Sequence, residues 1–155
     1  MRHPETMLVL AGAAMLGVCL GTGAATPTAA QATPPGVVVI VEGLRSDGGF
    51  VVGGLYGAAA TWLRADEAVE DCHAPIVGGR ARCAFLRLAG PTFAFAAFHD
   101  EDGDGAFGRD IIGLPREGYM FSNDAREPFG PPSFGAASFS TVSSRPLVVH
   151  ARYGI

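Results

Sequence analysis

From residue 37 onward the chain runs as short apolar stretches cut by glycine, proline and acidic residues, a pattern that predicts strands and turns. Val37-Val38-Val39-Ile40-Val41 is β-branched and apolar on both faces, which predicts a buried strand. Ser46-Asp47-Gly48-Gly49 reads as a turn and Phe50 to Tyr56 as a returning strand, so the two strands are expected to form a hairpin. Residues 58–70 hold Trp62, Asp66, Glu67 and Glu70 without a clean period; a short helical turn or an irregular crossover fits, with the acids facing water. Ile76-Val77-Gly78-Gly79-Arg80 contains another turn, and residues 81–88 read as a strand. Residues 92–98 are apolar on both faces and predict a central strand that delivers His99 and Asp100 at its end. Residues 106–138 show no clean period. They carry Phe107, Tyr119, Phe121, Phe129 and Phe134, too many aromatics for a disordered segment, so a long ordered loop is expected. Residues 139–142 and 147–153 are the last two strands. The expected fold is all-β, a single antiparallel β-sandwich of about seven strands with one long ordered loop.

The first residues follow another pattern. Arg2 and His3 precede a charge-free apolar run over residues 7–20, and small residues follow, ending in Ala30-Gln31-Ala32. This reads as a secretory signal peptide over residues 1–32, cleaved after Ala32. The run falls short of the roughly 20 residues of a membrane helix, so no transmembrane span is expected in the mature domain, residues 33–155. Location in the periplasm or outside the cell follows. Cys19 after Leu16-Gly17-Val18 offers a lipoprotein signal as the alternative, with valine where a small residue is expected. A net charge of −4 argues against a nucleic-acid partner. Beyond the signal peptide, Cys72 and Cys83 remain, and an even pair in an exported chain implies a disulfide. The alternative, a metal site of Cys72, His73 and Cys83, lacks a fourth ligand and a CxxC spacing.

Candidate chemistry concentrates in His99-Asp100-Glu101-Asp102-Gly103-Asp104-Gly105-Ala106. Alternating aspartates followed by glycine suit a hard cation, because Ca²⁺ takes about 6–8 oxygen ligands and the glycine permits a sharp turn. The expected ligands are the carboxylates of Asp100, Asp102 and Asp104, the backbone carbonyl of Ala106 and the carboxylate of Asp110, with Glu117 in reserve. A flexible loop of this kind is expected to prefer Ca²⁺ to Mg²⁺. The competing reading is a solvated turn, since Asp-Gly pairs mark turns on their own. The loop is no EF-hand: its twelfth position is Ile111, not glutamate. No nucleophile-elbow or zincin motif is present, and His99 and Asp100 should point to opposite faces of a strand, so no enzyme is expected. His99 is expected as a hydrogen-bonded core residue. Tyr119, Phe121 and Phe129 are a possible ligand surface for an envelope glycan or protein partner, unless they pack on the core. Arg126 is expected to pair with the acids around it, Glu117, Asp124 and Glu127.

Two blocks carry a family resemblance. One is Phe98-His99-Asp100-Glu101-Asp102-Gly103-Asp104-Gly105. The other is Gly113-Leu114-Pro115-Arg116-Glu117-Gly118-Tyr119, continuing through Phe121-Ser122-Asn123-Asp124-Ala125-Arg126 and Phe129-Gly130-Pro131-Pro132-Ser133-Phe134. With Val41-Glu42-Gly43-Leu44-Arg45 they resemble an exported bacterial family known as domain of unknown function 2141. The resemblance implies an envelope-associated sandwich of immunoglobulin- or transthyretin-like type, and no activity. The chain departs from the family pattern in carrying Gly108 where an acid is usual and Asp110 where a polar residue is usual, which moves one possible ligand by two residues.

Overall fold

The computed structural model describes residues 36–86, 88–141 and 145–154. The predicted signal peptide and Cys19 lie outside the described residues. Among the described residues there are eight strands: β1 (Val37–Glu42), β2 (Phe50–Tyr56), β3 (Glu70–Pro75), β4 (Ala81–Phe85), β5 (Thr92–Asp100), β6 (Tyr119–Phe121), β7 (Ser138–Ser140) and β8 (Leu147–His150). One sheet has the order β4-β1-β8. The other has the order β3-β2-β5, with β6 and β7 both pairing along the second side of β5. The fold is an all-β sandwich. Val39, Val41, Cys83 and Phe85 of the smaller sheet pack against Val51, Leu55, Phe95 and Met120 of the larger. Phe85 and Phe95 meet edge to face at 6.0 Å. Each fully buried side chain of this size stabilises by roughly 1.5–3 kcal/mol.

The expected hairpin of the first two strands does not form. β1 pairs with β4 and β8, whereas β2 pairs with β3 and β5, so the turn after β1 carries the chain from one sheet to the other. Both strands have an inward row (Val37, Val39, Val41 and Val51, Leu55) that a sandwich can serve from opposite sheets, and turn residues alone do not choose between the two arrangements. Asp47 secures the crossing: its carboxylate accepts the backbone N–H groups of Gly78 and Gly79 at 2.9 and 2.7 Å. Those two bonds hold its carboxyl below the usual carboxylate range. The sandwich is also not wholly antiparallel, because β1 and β8 run parallel. β3 has no apolar signature; its buried residues are Cys72 and Ala74 and its exposed ones are Asp71, His73 and Pro75, so only pairing with β2 reveals it.

β5 is the central strand, as its composition predicts, and is buried on both faces over most of its length. Its outer face is covered partly by the long loop. That loop is more regular than its sequence suggests, since it contains β6, a 3₁₀ turn at Ser122–Asp124 and a short helix, α1 (Phe134–Ala137). The Ser122 hydroxyl, fully buried, accepts the Phe95 N–H at 2.9 Å and donates to the Ala137 carbonyl. Asn123 donates to the carbonyls of Ala136 and Ser138, and Asp124 accepts from the His150 backbone and ring. One tripeptide thus ties the loop to β5, α1 and β8. Cys72 and Cys83 form a disulfide, with Cα atoms 5.6 Å apart, that joins β3 in one sheet to β4 in the other. No helix among the described residues is long and apolar enough to cross a membrane.

Candidate metal centre

Alternation along β5 sends Phe93, Phe95 and Ala97 into the core, and His99 continues that inward row. His99 is fully buried. Its Nε2 lies 2.7 Å from the Gly48 carbonyl and its Nδ1 2.7 Å from the Tyr153 hydroxyl. A carbonyl only accepts, so in the neutral ring Nε2–H donates to Gly48 and Nδ1 accepts from Tyr153. The Tyr153 oxygen in turn accepts the Arg45 N–H at 3.0 Å, and burial pushes its phenol above the ordinary tyrosine range. Gly49 lets the turn press on the end of β5: it has φ +72°, and a Cβ there would lie 1.9 Å from the Asp100 carbonyl oxygen. His99 therefore pins the β1–β2 crossing and the C-terminal segment to the root of the acidic loop.

Asp100, the next residue, is buried and organises that loop. Its Oδ1 accepts the N–H groups of Gly103 and Asp104 at 2.8 and 3.1 Å, and its Oδ2 accepts that of Gly105 at 3.0 Å. Asp102 accepts from Asp104 N–H at 3.3 Å, and Asp104 from Ala106 N–H at 2.7 Å, a succession of side-chain turns of the kind aspartate favours. The residue that completes the cluster arrives from far along the chain. Glu117, only 7% exposed, accepts the N–H of Glu101 at 3.0 Å and that of Gly108 at 2.8 Å. The His99 N–H bonds the Gly118 carbonyl at 2.8 Å and so brings Glu117 beside β5. Gly118 is required there, because a Cβ would stand 2.4 Å from the Tyr153 ring.

Ligand atoms of Asp100, Asp102 and Glu117 all lie within 4.8 Å of one another. Among the described residues this is the one such group of acidic, histidine or cysteine side chains. At that spacing and an effective dielectric near 20, each pair of carboxylates repels by about 3 kcal/mol. A cation between them converts that cost into attraction. The donor set is oxygen only, which suits a hard cation such as Ca²⁺ or Mg²⁺. The expected later ligand, Asp110, is elsewhere. Its Oδ1 accepts the N–H groups of Ile112 and Leu114 at 2.9 and 2.8 Å and closes a turn of its own, while Glu117, held in reserve by the sequence reading, stands in the cluster. Asp104 and Ala106 are in the same loop, but Asp104 does not join the three-residue group. Glu101 does not join the group either; its Oε2 takes the Arg45 guanidinium at 3.0 and 2.7 Å.

The aromatic candidates divide. Tyr119 and Phe121 are half-buried, whereas Phe129 is 99% exposed. Arg126 is exposed and forms no ion pair among the described residues: of its three expected partners, Glu117 is engaged with the loop and Asp124 with His150, and Glu127 does not pair with it.

Fold and site together define a two-sheet all-β module with an acidic loop at the end of its central strand. The chain belongs to a family of uncharacterised proteins conserved in bacteria, domain of unknown function 2141, which it matches over residues 39–147. Neither a curated protein nor a solved structure matches it.

Proposed function

We propose that this chain is an exported β-sandwich module that binds a divalent cation, Ca²⁺ in preference to Mg²⁺, at the end of β5. The observation that carries the reading is the meeting of Asp100 and Glu117, both buried, with Asp102, from segments far apart in sequence. Burying two carboxylates beside a third is costly unless something positive compensates. The cation's role is to hold the loop closed. Affinity is expected on the order of 10⁻⁴–10⁻³ M, as in other extracellular calcium modules. Export rests on the composition of residues 1–32, and intact mass of protein recovered from the periplasm or medium tests it: a mass beginning near Thr33 supports it, and one retaining lipidated Cys19 selects the lipoprotein route.

Asp102→Ala is the discriminating variant for the cation. Asp102 is exposed and its carboxylate supports only Asp104 N–H, which Asp100 also accepts, so its loss removes a ligand without stranding a buried donor. After chelator treatment, Ca²⁺ should raise the melting midpoint of the wild type and leave that of Asp102→Ala nearly unmoved. Equal shifts in both proteins, or none in either, reduce the loop to an acidic turn.

A further inference from the structure

On the side of the larger sheet away from the core lies a groove of about 910 Å³. That volume is within the roughly 300–1,000 Å³ of small-ligand sites. Strand alternation places Phe98, Tyr119 and Phe121 on this face, opposite the core row of Ala97 and Met120. Their rings form part of a continuous band. Phe107 packs on Phe98 at 5.6 Å and on Tyr119 at 6.3 Å, and Tyr119 packs on Phe121 at 6.0 Å. Trp62 extends the band from Phe121 at 6.0 Å to Tyr56 at 5.3 Å. Gly105 and Ala106, at the end of the acidic loop, and Phe107 after them also line the groove.

Besides the tyrosines, Asp71, His73, Arg109 and Glu127 bring polar groups to the groove. Arg109 lies over the Phe107 ring at 5.0 Å and donates to the Gly113 carbonyl at 3.2 Å. His73 stacks on Phe50 at 4.3 Å, and its ring nitrogens, like the carboxylates of Asp71 and Glu127, make no hydrogen bond to any described residue. The groove therefore offers aromatic faces together with unengaged acceptors, and its two acids and one arginine give no single sign of charge.

We infer that this groove binds a neutral oligosaccharide. A sugar ring presents an apolar C–H face, which stacks on aromatic rings, and equatorial hydroxyls, which donate to carboxylates and imidazole and accept from guanidinium. The rival occupants match fewer of these groups. An acyl chain would leave Asp71 and Glu127 desolvated and unpaired. A proline-rich segment would stack on the rings but lacks the N–H donors that the carboxylates need. An anionic ligand would meet the carboxylates of Asp71 and Glu127.

Trp62 is the single tryptophan and touches two rings of the band, so its emission reports occupancy. The experiment titrates the mature protein, in saturating Ca²⁺ and again in chelator, with hexaoses of β-1,4-glucose, α-1,4-glucose, β-1,4-mannose and β-1,4-N-acetylglucosamine. A proline-rich dodecapeptide and dodecyl dimethylamine oxide serve as comparison ligands. At least one hexaose should produce a saturable change in Trp62 emission with matching calorimetric heat. Phe107→Ala and the pair Asp71→Asn/Glu127→Gln should each weaken it by about tenfold or more, the loss of a stacking face or of charge-assisted bonds. Val77→Ser, at an exposed turn outside the groove, should leave it unchanged. The inference fails if no hexaose saturates under either condition, if the groove variants bind as tightly as wild type, or if only the peptide or the detergent binds.

Discussion

Glu117→Gln separates two effects that the cluster holds in opposition. The substitution keeps the shape of a buried side chain but replaces one acceptor oxygen with an NH₂ group that cannot accept. Either Glu101 N–H or Gly108 N–H, now bonded at 3.0 and 2.8 Å, loses its partner. An orphaned buried donor costs about 1–3 kcal/mol. Against this, the variant removes the repulsion between Glu117 and the carboxylates of Asp100 and Asp102, all within 4.8 Å, at about 3 kcal/mol per pair before solvent screening at exposed Asp102. The relief from the buried Asp100 pair alone matches the upper end of the donor's cost, so in chelator Glu117→Gln should unfold in urea at a stability equal to or above that of wild type. In Ca²⁺ at a hundredfold excess over the dissociation constant, wild type should gain roughly 2.7 kcal/mol by mass action. The variant should gain little. Paired urea titrations with and without Ca²⁺ measure both quantities. A chelator-state loss above about 3 kcal/mol would show that Glu117 serves the loop as a hydrogen-bond acceptor and that repulsion is negligible there. An undiminished calcium gain would remove Glu117 from the site.

Three further outcomes are expected. Reducing the Cys72–Cys83 disulfide, which spans a sequence separation of 11, should destabilise the protein by about 3 kcal/mol on the chain-entropy model, read as a lower melting midpoint; two titratable thiols in native exported protein would refute the pairing. Ser122→Ala strands the buried Phe95 N–H and the Ala137 carbonyl and should cost about 3 kcal/mol in urea unfolding, whereas a loss under about 0.5 kcal/mol would mean the loop is not anchored there. Burial by itself would push Asp124 up, but the His150 N–H, the His150 ring and Arg152 outweigh it and hold the carboxyl below its ordinary value of 3.8. Its contribution is therefore present above that value and lost as pH falls through the lower folded one, so Asp124→Asn should flatten the acid limb of the stability profile below about pH 4, and an unchanged limb would refute the coupling.

The strands that bury one or both faces were legible as sequence: β1, β2 and β5 announce themselves through β-branched and aromatic runs, β4 is set off by the turn at Gly78-Gly79, and the all-β class follows from them. So were the Cys72–Cys83 pairing and the acidic loop, because cysteine parity and the Asp-x-Asp-x-Asp-Gly spacing are local patterns. Partner choice was not legible. Nothing in Ser46-Asp47-Gly48-Gly49 distinguishes a hairpin from a crossing between sheets; the inward rows of β1 and β2, the Asp47 bonds to Gly78 and Gly79 and the parallel docking of β8 decide it. β3 was invisible because its buried residues, Cys72 and Ala74, are small and its exposed ones, Asp71, His73 and Pro75, are poor strand formers. The cluster shows the same division. Asp100 and Asp102 are neighbours and were found by spacing, but whether Asp110 or Glu117 joins them depends on which backbone runs beside β5. Asp110 is held by its own turn, and Glu117 is carried in by the bond from His99 N–H to the Gly118 carbonyl. Local spacing encodes a loop's own turns, whereas the third carboxylate comes from strand pairing between segments far apart in the chain, and only the folded core sets that pairing.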